Sequence, residues 1–128
     1  MRVLLDTHLV IWAMVGSDKL SDKARSYLSS RDVIRYVSSV SIWETALKHS
    51  RKPDDIPVTG EQMMRFCREN QIRELPLRFE HIAGIGSLSN YHNDPFDRIL
   101  IQQAIKEDLL LITHDEKILL YGDYCIGV

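Results

Sequence analysis

Short apolar runs alternate along the chain with longer segments in which apolar residues recur every three or four positions. The short runs read as buried strands and the longer segments as amphipathic helices. Arg2–Leu5 is the first strand, and Asp6-Thr7 opens a helix carrying Val10, Ile11 and Met14. Ser21 caps a second helix with Ala24, Tyr27 and Leu28. Val33–Val37 is the next strand, and Ser41–Lys48 is a helix with Val40, Trp43 and Leu47 on one stripe. Arg51–Pro57 is a charged, proline-bearing loop. Glu61–Asn70 is a helix presenting Met63, Met64, Phe66 and Cys67, and Ile72–Leu75 is a weak strand suited to a sheet edge. Phe79–Leu88 is helical but weakened by Gly84 and Gly86. Asp94-Pro95 opens a strong helix through Leu100, Ile101, Ala104 and Ile105. Leu109–Ile112 is an uninterrupted apolar strand, and Tyr124–Val128 is the last. Strands alternating with helices predict a parallel sheet covered on both faces, hence a three-layer α/β/α domain.

At 128 residues the chain fits one domain, taken as 1–128, and its 45% apolar share supplies an ordinary core. The formal charge of −2 removes any global basic field, so a nucleic-acid partner would need basic residues gathered locally. Cys67 and Cys125 are far apart and lack metal-ligand spacing. They read as thiols of a reducing compartment, with a single disulfide left open. The N-terminus shows no signal-peptide pattern. No run approaches the roughly 18 apolar residues of a membrane helix. The expectation is a cytoplasmic protein with no membrane contact.

Four acids stand where chemistry is expected. Asp6 ends the first strand, Asp115 lies just past Leu109–Ile112, Asp97 is in the first turn of the Asp94-Pro95 helix, and Glu44 is in the helix after the second strand. Open α/β sheets bind ligands beyond the carboxyl ends of their strands. Taken singly, each acid has a commoner role. Asp6, Asp94 and Asp115 suit helix caps, Asp97 suits the positive end of a helix dipole, and Glu44 suits a surface pair with Lys48 one turn on. Together they suggest more. Glu44 borders the Val40, Trp43, Leu47 stripe, which predicts half burial. Asp97 shares a face with Ile101 and Ala104 and so points toward the sheet. Capping requires no such convergence. Clustered carboxylates repel by several kcal/mol at an effective dielectric of about 20 unless something positive lies among them. A hard divalent cation such as Mg²⁺ takes such oxygen ligands, and could drive displacement at phosphorus.

His8, His49, His81, His92 and His114 are scattered without the spacing of a zinc site. Each reads as a polar surface or supporting group, with His8 and His114 of interest because they adjoin acids. Lys48, His49, Arg51 and Lys52 form a short basic run. Alone it is an ordinary solvated face; beside a metal site, Lys48, Arg51 and Lys52 become weak candidates for RNA phosphates. Trp12 and Trp43 are able to stack on bases, but their helical spacing points to the core.

Four blocks in order resemble the PIN-domain toxins of the VapC type. They are Leu4-Leu5-Asp6-Thr7-His8, Ser39-Val40-Ser41-Ile42-Trp43-Glu44 with Lys48, Asn93-Asp94-Pro95-Phe96-Asp97-Arg98-Ile99-Leu100-Ile101, and Leu111-Ile112-Thr113-His114-Asp115. The resemblance implies a five-stranded parallel sheet and a metal-dependent endoribonuclease using Mg²⁺, with Mn²⁺ able to replace it. It also implies a homodimer and a cognate antitoxin that blocks the site. Carried over by position, Asp6, Glu44, Asp97 and Asp115 are the catalytic and metal-binding acids, with Asp94 an additional acid. Thr113, and with it Thr7, would orient a ligand or water. Asn93 departs from the pattern, since many relatives of this variety carry a basic residue there.

A phosphoacceptor receiver domain also places acids at strand ends. It calls for paired acids near the first strand and an aspartate after a middle strand, whereas Asp6 stands alone and Val33–Ser41 holds no aspartate. A PIN-like binding module without catalysis should lack one of the acids, and all four positions are filled. An RNA-processing or DNA-directed PIN nuclease is not distinguished by the acids themselves.

Overall fold

A computed structural model describes all residues, 1–128. Five parallel strands form one sheet: β1 Arg2–Leu5, β2 Ile34–Ser38, β3 Arg73–Leu75, β4 Leu110–Thr113 and β5 Cys125–Gly127. Their order is β3-β2-β1-β4-β5. The helices are α1 Thr7–Val15, α2 Asp22–Ser29, α3 Ser39–Arg51, α4 Gly60–Glu69, α5 Phe79–Ala83, α6 Pro95–Glu107 and α7 Glu116–Leu119. The expected α/β architecture is therefore present, and every expected strand lies within a residue or two of its predicted bounds. No helix is long and apolar enough to cross a membrane.

The alternation of side chains along β1 builds two cores, one on each face of the sheet. Val3 and Leu5 join Leu9, Val10, Ala24, Met63 and Ile112 on one side. Leu4 joins Leu100, Ile101, Ala104, Leu111 and Ile118 on the other. β1 is thus covered on both faces, which explains its unbroken apolar run. Gly60 permits the close approach of α4 to α3, because a Cβ there would meet the Ala46 Cβ at 3.0 Å.

Topology selects the end of the sheet that can bind. The chain moves outward from β1 through β2 to β3, then returns to β4 on the other side of β1. The crevice between β1 and β4 is the switch point of the winding, where ligands of open α/β sheets are held. Leu4 pairs with Leu111 and Leu5 with Ile112, so the two strands end side by side at Asp6 and Thr113.

Several expectations need correction. The helix read as Ser41–Lys48 runs from Ser39 to Arg51, taking in the start of the anticipated loop. Its buried face is Val40, Ser41, Glu44 and Thr45. Trp43 is consequently 56% exposed, packed edge-on against Phe96 instead of lying in the core. Phe79–Leu88 splits at Gly84 into α5 and a 3₁₀ turn, Ile85–Ser87. His81 is buried and not at the surface, because its ring bridges elements: Nδ1 accepts from the Arg78 N–H and Nε2 meets Glu107 at 2.8 Å. The cysteines are free.

Candidate active site

The acids converge at the carboxyl ends of β1 and β4, between α3 and α6. Asp6 occupies the cap position of α1 but makes no capping bond. Its side chain turns to β4, where the Thr113 hydroxyl donates to Oδ2 at 2.7 Å. The same hydroxyl accepts from the Asp115 N–H at 3.0 Å, so one threonine couples two of the expected acids. Asp6 is only 3% exposed, and its Oδ1 has no partner. Burial, partly offset by the Thr113 bond, holds its carboxyl above the usual range.

Glu44 lies deeper than the stripe of apolar residues implied, at 2% exposure. Lys48, one turn on, donates to Oε2, while Oε1 is without a partner. The anticipated pair with Lys48 therefore exists, but it is directed into the protein. Lys48 also comes within 3.9 Å of Asp94. Burial works against its charge, and the carboxylates of Glu44, Asp94 and Asp97 more than offset this, so its pKa rises.

Asp97 experiences the combined field of the cluster. Burial and then the charges of Asp6, Asp94, Glu44 and Asp115 push its pKa up to about 8. Five carboxylates thus act on one another within this crevice. Asp115 caps α7 through Oδ1, which accepts from the Lys117 N–H at 2.8 Å. Burial raises its pKa, but bonds from His92 and the Lys117 N–H outweigh that and leave it lowered. Asp94 is the cap of α6, its Oδ1 accepting from the N–H groups of Phe96 and Asp97. The capping role therefore holds for Asp94 and for one oxygen of Asp115. It fails for Asp6 and leaves Asp97 and Glu44 unexplained.

The other candidates are spread more widely. The Thr7 hydroxyl donates to Ser41 Oγ at 2.7 Å, tying α1 to α3 without touching an acid. Arg51 and Lys52 are exposed and lie about 10 Å along the helix from Glu44, two turns on, without contact to the cluster. Trp12 is half-buried with its ring edge-on to His114 at 5.4 Å.

Sequence reasoning left His92 among the scattered histidines, as a polar surface or supporting group, and did not place it beside the acids. Its Nε2 lies 2.9 Å from Asp115 Oδ2 and 3.0 Å from Asp97 Oδ2. Its only local signal is position, two residues before the Asp94-Pro95 helix start, in a stretch with no periodicity.

Known structures share this architecture. VapBC2 from Rickettsia felis, solved bound to a DNA fragment from their promoter, superposes with a TM-score of 0.70 at 15% identity, covering 100% of this chain and 98% of that one. VapBC-1 from nontypeable Haemophilus influenzae gives 0.64 at 18% identity over 97% and 98%. FitAcB from Neisseria gonorrhoeae gives 0.64 at 19% identity over 100% and 97%. At these identities the likeness establishes the fold. No curated protein sequence matches the chain. The sequence model of the PIN domain, however, matches residues 3–123, nearly the whole length, and the protein therefore belongs to the PIN domain family.

Proposed function

We propose that this PIN domain is a Mg²⁺-dependent endoribonuclease and the toxin of a toxin–antitoxin pair. PIN-family proteins are typically nucleases, so phosphodiester hydrolysis is the chemistry that membership supports. One observation carries the metal-dependent reading: two carboxylates at 3% and 2% exposure each keep an oxygen without a partner, Asp6 Oδ1 and Glu44 Oε1. A buried unpaired carboxylate oxygen costs several kcal/mol unless a cation or donor completes it.

The donor set fits a hard divalent ion. Oxygen ligands dominate it, and Mg²⁺ takes few carboxylates while keeping several waters. Asp6, Glu44, Asp97 and Asp115 would hold the ion, with Asp94 at the margin because one of its oxygens caps α6 and the other faces Lys48 at 3.9 Å. Mn²⁺ would fit the same oxygens. Bound metal would supply a Lewis acid for a phosphoryl oxygen and a more acidic water.

The chain's own groups have separable tasks. Thr113 fixes the Asp6 carboxylate and the backbone of Asp115. Lys48 neutralises Glu44 from the rim and stands where a substrate phosphate would approach. Arg51 and Lys52 would contact RNA only farther along the strand. Thr7 sets the position of α3, and thereby of Glu44.

The toxin role rests on the four sequence blocks, which resemble VapC-like toxins, and on the shared fold with VapBC2 and VapBC-1. A homodimer and an antitoxin belong to the same proposal. An antitoxin arginine would suit the acidic crevice, since a guanidinium pairs bidentately with carboxylates. The test is coexpression and light scattering with the product of the adjoining reading frame, followed by RNA cleavage with and without it. A monomer that ignores that product while cleaving RNA would place the enzyme in RNA processing instead. Metal binding without cleavage of any nucleic acid would leave a binding module.

A further inference from the structure

We propose that His92 is a positioning residue for the metal site, acting as a neutral hydrogen-bond donor and not as a metal ligand. The proposal rests on the metal-dependent reading above. The ligand atoms of His92, Asp97 and Asp115 lie within 4.8 Å of one another, which by distance alone resembles a three-ligand metal site. The hydrogen bonds argue otherwise. His92 Nδ1 lies 3.0 Å from the Asp94 backbone nitrogen, whose N–H can only donate. Nδ1 therefore carries the lone pair, and the single proton of the neutral ring is on Nε2. That N–H donates to Asp115 Oδ2 at 2.9 Å, with Asp97 Oδ2 at 3.0 Å from the same nitrogen. A protonated ring nitrogen has no lone pair for a metal.

The ring is held from behind as firmly as from the front. The His92 N–H donates to Tyr121 Oη at 3.0 Å, and the Tyr121 hydroxyl donates to Ser89 O at 2.6 Å. The His92 carbonyl accepts from Arg98, whose guanidinium also donates to the carbonyls of Ile85, Leu88 and Ser89. Although it follows Asp97 directly, Arg98 forms no ion pair; it binds the connecting segment and delivers His92 to the crevice. The imidazole thus fixes one oxygen on each of Asp97 and Asp115. The other Asp97 oxygen, with the unpartnered Asp6 Oδ1 and Glu44 Oε1, is left for the ion, while Asp115 Oδ1, which already caps α7, would offer it only a second lone pair. Groups of this kind, which orient ligands without being ligands, typically govern metal affinity by 10- to 100-fold on the order of magnitude.

The test is binding of Mn²⁺ alone, by calorimetry and by electron paramagnetic resonance, to the parent, His92→Ala, His92→Gln and Tyr121→Phe. Glutamine places an amide N–H near the position of Nε2, whereas alanine does not. The expected result is a loss of about 10-fold or more in Mn²⁺ affinity for His92→Ala, substantial recovery in His92→Gln, and a smaller loss in Tyr121→Phe. The parent's bound Mn²⁺ should show no nitrogen coupling. Nitrogen coupling in the parent that disappears in His92→Ala would make His92 a ligand and overturn the proposal. So would His92→Gln binding as poorly as His92→Ala, or all variants binding like the parent. If His92→Ala does not fold by circular dichroism, the glutamine and phenylalanine variants carry the comparison. A parent that binds no Mn²⁺ removes the metal-dependent reading itself, and the positioning role with it.

Discussion

Asp97→Asn should stabilise the metal-free protein while abolishing its activity. In the folded chain Asp97 has a pKa near 8, against an ordinary 3.8. Between these values the folded protein holds a proton that the unfolded chain releases, so metal-free stability falls as pH rises from about 4 to about 8. Asp6 is shifted in the same direction and adds to the trend. Asp115 is lowered, and its contribution changes only below the ordinary aspartate range. At pH 7 the gap between unfolded and ambient pH is about three units, which at about 1.4 kcal/mol each costs the fold on the order of 4 kcal/mol. The Asp97 side chain is only 13% exposed, so solvent screens little of this. Asparagine keeps the shape and removes the titration. Allowing about 1 kcal/mol for a poorer contact with His92, the net gain is about 3 kcal/mol. The assay is urea unfolding in chelator at pH 7 and pH 5. The gain should fall to about 1 kcal/mol or less at pH 5, where the gap is only about one unit and roughly 1.5 kcal/mol of the penalty remains. A variant less stable than the parent at pH 7, or a gain independent of pH, would refute the reasoning.

Asp94→Ser should retain stability within about 0.5 kcal/mol, because serine caps as well, and should weaken Mg²⁺ binding less than Asp97→Asn does by calorimetry. Thr113→Val preserves volume but strips Asp6 Oδ2 and the Asp115 N–H of their shared partner. It should cost about 2–4 kcal/mol in urea melts and raise the Asp6 carboxyl further, seen as a steeper loss of metal-free stability with pH. Trp43→Ala should cost about 1 kcal/mol, the scale of one aromatic edge contact, well short of the roughly 3–5 kcal/mol of a buried tryptophan.

The fold was legible because apolar runs and caps carry it. Val3-Leu4-Leu5 has to be a strand buried on both faces, and Asp94-Pro95 has to start a helix. Asp6 and Asp115 were legible as residues at strand ends. The orientation of α3 was not. A stripe of Val40, Trp43 and Leu47 is the inward face by apolarity, yet of these only Val40 is buried, together with Ser41, Glu44 and Thr45. Local hydrophobic logic fails there because Glu44 belongs to a charged crevice, and functional sites are where such rules are broken. His92 was hidden for a different reason. Its partners arrive from the end of β4 and from α6, and only the closed topology brings them together. His81 was misjudged in the same way, since Glu107 reaches it from 26 residues away.

The central claim is that buried carboxylates hold a divalent ion that cleaves RNA. The most direct measurement is hydrolysis of a single-stranded RNA pool by the purified protein in Mg²⁺, in chelator, and with Glu44→Gln. Glutamine keeps the buried shape of Glu44 and removes only its charge. The account predicts endonucleolytic products in Mg²⁺, none in chelator, and a fall of at least about 100-fold in the variant, as for loss of a charge that stabilises the transition state. Cleavage that persists in chelator, or that Glu44→Gln leaves at the parental rate, would contradict it.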